Sequence, residues 1–149
     1  MFRLSVFFLL LFFTCLSQSS SCPDLTARYH CFPGEEFEFV TIESWLENGT
    51  DTYLIDGDTF IADRRVYPIK TGSFKGSKVS FCQDQKLMIS IQGFLASGAE
   101  VKMKVQYFAD PSSKDRLMIK KVKTTIEKHQ TTSELRTRKC SRASSGLPF

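Results

Sequence analysis

The sequence predicts an all-β fold: a single disulfide-stapled β-sandwich or barrel-like domain of about seven or eight antiparallel strands. Three observations lead there. Apolar and polar residues alternate strictly over residues 100–107. Asp56-Gly57-Asp58 forms a turn signal between two runs rich in β-branched and aromatic residues. Four cysteines remain once an N-terminal leader is set aside, an even number that suits oxidised pairs.

The leader comes first along the chain. Arg3 supplies a positive charge, residues 4–13 are apolar except for Ser5, and small residues follow through Ser21. That order is a secretory signal peptide, and its apolar run is shorter than the roughly 20 residues a membrane-spanning helix needs. Residues 1–21 are therefore expected to be removed, leaving a β domain over 22–140 and a disordered tail at 141–149. No second apolar run reaches spanning length, so no transmembrane segment is expected and the product should be secreted. In an oxidising compartment Cys22, Cys31, Cys82 and Cys140 form two disulfides. Joining Cys140 to Cys22 or Cys31, with the other N-terminal cysteine on Cys82, closes long loops and ties both ends to the body.

The strands follow from period-two patterning. Phe37, Phe39, Val40 and Ile42 mark an early strand. Residues 53–55 and 59–61 flank Gly57, which supplies the positive φ of a tight hairpin. Val79 and Phe81, then Leu87, Ile89 and Ile91, then Val101, Met103, Val105 and Tyr107 each place one apolar face opposite a polar one. Residues 116–126 fit a helix or a strand by spacing, and the β-branched Thr124, Thr125 and Ile126 favour the strand. From Glu127 the chain turns polar.

Charge is unevenly spread. Residues 22–99 carry 7 basic and 11 acidic side chains, and residues 100–149 carry 12 and 5. Lys102, Lys104, Lys120, Lys121 and Lys123 form the candidate face for an anionic partner such as a sulfated glycan; a solvated sheet face is the competing explanation. Nucleic acid is not expected for an exported chain. Asn48-Gly49-Thr50 is a glycosylation acceptor at a turn. Asp51, Asp56, Asp58 and Asp63 crowd one hairpin, but their spacing suits turn formation better than a calcium loop, so no metal is expected.

Catalysis has little support. His30 and His129 are the available near-neutral bases, no Gly-x-Ser-x-Gly turn is present, and Glu35, Glu36, Glu38 and Glu43 suit the outer face of a strand as well as a carboxylate pair. No cofactor is expected. The reading is a secreted, non-catalytic binding protein for an extracellular protein, glycan or cell surface. The alternatives are a carrier of a small apolar ligand and, behind it, an enzyme with a histidine base. Phenylalanines such as Phe60, Phe74, Phe81 and Phe94 are expected to fill the core; a sheet too open to fill would leave an aromatic-lined cavity for the carrier.

Overall fold

The computed structural model describes residues 22–32 and 38–143. The leader at 1–21, the carboxylates Glu35 and Glu36, Phe37 and the end of the tail at 144–149 lie outside the described residues.

Ten strands occur among the described residues, all antiparallel and in one sheet: β1 (Ala27–Phe32), β2 (Glu38–Glu47), β3 (Thr50–Ile55), β4 (Asp58–Ile61), β5 (Val66–Thr71), β6 (Phe74–Gln83), β7 (Lys86–Leu95), β8 (Glu100–Asp110), β9 (Ser113–Glu127) and β10 (Gln130–Arg142). The all-β expectation holds. The count of seven or eight strands and the two-layer sandwich do not, because β1, β5 and β10 join the strands read from the sequence and every strand belongs to one rolled layer. β1 alternates, but its inward face is only Ala27, Tyr29 and Cys31, with one large apolar side chain; β5 contains Pro68, and β10 has hardly any apolar face.

Short turns dictate a meander. Asn48-Gly49, Asp56-Gly57, Asp84-Gln85 and Lys128-His129 all place both turn residues at positive φ, the geometry whose twist matches that of paired strands. Neighbours in sequence are thus neighbours in the sheet, with order β4-β3-β2-β1-β10-β9-β8-β7-β6-β5. The first and last strands pair in the middle, and β4 and β5, consecutive in sequence, form opposite edges.

That order forces the sheet to roll. A flat ten-stranded sheet would separate its edges by about 43 Å, at roughly 4.8 Å per strand spacing. The connector 62–65 lets Ile61 and Val66 lie no more than roughly 17 Å apart. The β4 edge therefore comes round to β6, and the two meet chiefly through side chains. Lys78 Nζ and Ser80 Oγ of β6 donate to the β4 carbonyls of Thr59 and Ile61 at 2.6 and 2.8 Å, and Arg64 N donates to the Ser80 carbonyl at 3.0 Å. Since β4 and β5 share no ladder, the result is a half-barrel with a seam.

Gly76 and Gly93, a cross-strand pair of β6 and β7, stand where the sheet leaves no room for a side chain. The edge of the Phe74 ring lies 2.8 and 2.7 Å from where their Cβ atoms would stand, so any side chain there would displace it. The free edge of β5 carries Pro68, and its missing N–H blunts that edge against pairing with another chain.

Two disulfides fasten the roll. Cys31–Cys140 bridges the paired first and last strands, and Cys22–Cys82 ties the segment before β1 to β6. That leading segment closes one end of the interior. Leu25 is 1% exposed, the Tyr53 hydroxyl donates to the Pro23 carbonyl at 2.7 Å, and the Tyr29 hydroxyl donates to the Leu25 carbonyl at 3.1 Å. Around it pack Ile42, Ile55, Leu87, Ile89, Leu117 and Ile119. Aliphatic residues and two tyrosines thus fill this end in place of the expected phenylalanines: of those, Phe60 is buried and Phe94 is exposed. β10 extends to Arg142, beyond the expected domain end at 140; the Arg142 guanidinium donates to the Thr26 carbonyl, and Ala143 N donates to the Arg28 carbonyl.

Candidate functional site

At the other end the concave face opens into a groove. Its floor follows from strand alternation: Val101, Met103, Val105 and Tyr107 of β8 face inward, as do Ile89 and Ile91 of β7. Two adjoining cavities of about 340 and 300 Å³ share Asp58, Phe60, Ile91, Met103 and Lys121. Ile69, Thr71 and Phe74 from β5 and β6 complete the first. Volumes of this size fall at the lower end of the roughly 300–1,000 Å³ typical of small-molecule sites.

The wall built by β9 and β10 differs in chemistry. Leu117 and Ile119 point inward at the filled end, and the same alternation carries Lys121 and Lys123 inward at the open end. Lys121 pairs with Val105 and Arg136; Lys123 pairs with Met103 and Glu134. On β10, Cys140 is buried in the core, and Arg138, Arg136 and Glu134 continue its face into the groove. One pair of strands is thus apolar at one end and ionic at the other. Beside the larger cavity lies a smaller one of about 120 Å³, lined by Lys121, Lys123, Glu134 and Arg136. Within it the Arg136 guanidinium already pairs with the Glu134 carboxylate.

The opposite wall is acidic. Asp56 and Asp58 stand at the β3–β4 turn and face the second cavity, where Arg136 and Arg138 also lie. Burial, reinforced by Asp56, pushes the Tyr107 phenol up to about 12, so this groove residue stays neutral. Lys78 reaches across the seam and lies 4.5 Å over the Phe60 ring, which fixes that aromatic at the groove's edge.

The five lysines read from the sequence divide between two faces. Lys102, Lys104 and Lys120 lie on the convex side, where Lys102 pairs with Glu100 at 3.0 Å and Lys120 lies 5.7 Å from the Phe108 ring. Lys121 and Lys123 line the groove. Asn48 sits exposed at the tip of the β2–β3 hairpin. His30 packs on the convex side of β1 between Phe32 and Phe39, and His129 occupies the β9–β10 turn; neither lines the groove. Among the clustered aspartates, Asp56 accepts from Thr41 N at 2.8 Å, and Asp63 accepts from the Tyr67 hydroxyl at 2.6 Å and from Arg65 N at 2.9 Å. Those are turn-holding roles.

Sequence reasoning missed Phe60, Ile91, Met103, Arg136 and Arg138 as members of one site. The signal was there in part: extending the alternation of Leu117 and Ile119 by two steps puts Lys121 and Lys123 inward and leaves Lys120 outward. No helix among the described residues is long and apolar enough to cross a membrane. No family model, curated protein or solved structure matches the chain.

Proposed function

We propose that this chain is a secreted, non-catalytic binding protein that carries a small apolar ligand in its concave groove. The observation that supports the reading most is the uneven interior. Leu25, Leu87 and Leu117 fill one end, and at the other Phe60, Ile91 and Met103 line a cavity of about 340 Å³. An apolar concavity of that size costs stability unless a ligand covers it. Paired cysteines and the leader-like N-terminus support export, and the exposed Asn48 then carries an N-linked glycan.

The test is native mass spectrometry of protein collected from the medium of secreting eukaryotic cells, before and after organic extraction. A bound small molecule lost on extraction, and excluded by Met103→Trp, supports the carrier reading. An empty protein that also fails to bind a neutral apolar dye ends it. Glycosidase treatment of the same sample should raise mobility on a gel, and Asn48→Gln should abolish that shift.

A second reading concerns the convex side, where Lys102, Lys104 and Lys120 share one face. Contact with a sulfated glycan there predicts retention on heparin that disappears in the triple substitution to Glu. Retention unchanged by that substitution removes it.

A further inference from the structure

If the groove carries an apolar ligand, as proposed above, its ionic end specifies more than apolarity. Lys121 and Lys123 stand on the inward face opposite Val105 and Met103, and neither forms an ion pair among the described residues. Together with Arg136 they converge on the pocket of about 120 Å³ that adjoins the apolar cavity and shares both lysines with it. Glu134 is the one acid of that pocket, and its partner is Arg136. Arg136 is thereby held in place and the two lysine ammonium groups are left to meet something else.

We infer that the ligand is a single-chain amphiphile with a carboxylate head, its tail on Phe60, Ile91 and Met103 and its head between Lys121, Lys123 and Arg136. A tail laid over the groove floor removes water from the two ammonium groups, which is unfavourable unless an anion arrives with it. The β9–β10 wall suits the head better than the far side of the apolar cavity, where Asp58 repels an anion and Lys78 is engaged with the Thr59 carbonyl and the Phe60 ring. The apolar cavity suits one chain, and a pocket of about 120 Å³ already holding a carboxylate suits a compact head better than a phosphate carrying a glycerol.

The test uses the full secreted chain, extracted free of ligand, with a neutral apolar dye in the groove. Oleate, oleyl alcohol and oleoyl lysophosphatidate are compared as displacers below their micelle concentrations. Oleate should bind at least about tenfold more tightly than oleyl alcohol, and raising salt to about 0.5 M should reduce only the anion's affinity. Lys121→Met with Lys123→Met should bring the ratio of acid to alcohol affinity down to about one. Lys102→Met with Lys104→Met, on the convex side, should change neither. Equal affinity of acid and alcohol, or an equal loss from the convex pair, overturns the head assignment and leaves the carrier reading standing. Tighter binding of the lysophosphatidate than of oleate overturns the carboxylate. Failure of the dye and all three displacers overturns the carrier reading as well.

Discussion

All four tyrosines hold their phenolic protons above the ordinary value of 10.0, and for two different reasons. Burial raises Tyr29, Tyr53 and Tyr107; at Tyr67 the main cause is the hydrogen bond its hydroxyl donates to the Asp63 carboxylate. A raised folded-state value means the native state keeps protons that the unfolded chain releases. The stability this confers is complete below the unfolded value of about 10 and drains away as pH climbs through the folded values, about 12 for Tyr107. Phenolate absorbance in the native protein should therefore appear at higher pH than in urea, where it should shift back towards about 10. The urea concentration at the unfolding midpoint should fall as pH rises from about 9 to about 11. A native titration centred near 10 would contradict the packing described for these rings. Single residues also decide how much of the site could be read. Lys120 and Lys121 are adjacent in sequence and lie on opposite faces, so a lysine cluster counted along the chain mixes two surfaces.

Strands differ in legibility because their inner faces differ in chemistry. β8 was plain in the sequence, since Val101, Met103, Val105 and Tyr107 all face the interior. β10 was not, because beyond Cys140 its inner face carries Arg138, Arg136 and Glu134, which line an open groove where water reaches them. The strand hidden by its polarity is hidden by the very residues that line the groove. β1 and β5 were lost for simpler reasons, an inner face of only Ala27, Tyr29 and Cys31 in the one and Pro68 in the other. At this scale the Gly76–Gly93 pair is the sharpest point to probe. An alanine Cβ at either position runs into backbone of the neighbouring strand and the Phe74 ring. Gly76→Ala should lower stability by about 1–3 kcal/mol in urea unfolding, with Gly93→Ala similar. Adding Phe74→Leu should recover only part of the loss, because the backbone clash remains.

The molecule as a whole is a cyclic meander with one end filled and one end open, and the two ends should answer differently to truncation. Leu87 is 0% exposed, and Leu87→Ala should cost about 2–5 kcal/mol. Ile91, further along the same face, lines the groove, and Ile91→Ala should cost well under half as much while weakening ligand binding. Similar losses at both positions in chemical denaturation would mean the groove is closed in solution. Replacing Cys31 and Cys140 together by Ala should cost about 2–5 kcal/mol, because that bridge closes a separation of 109 residues. The seam between β4 and β5 separates two kinds of fastening. Elsewhere each strand is laced to its neighbour along the backbone; here Lys78 and Ser80 hold the margin by their side-chain tips. Such a margin opens without unzipping any ladder, so amide exchange in β4 should outpace that in β3 and β10.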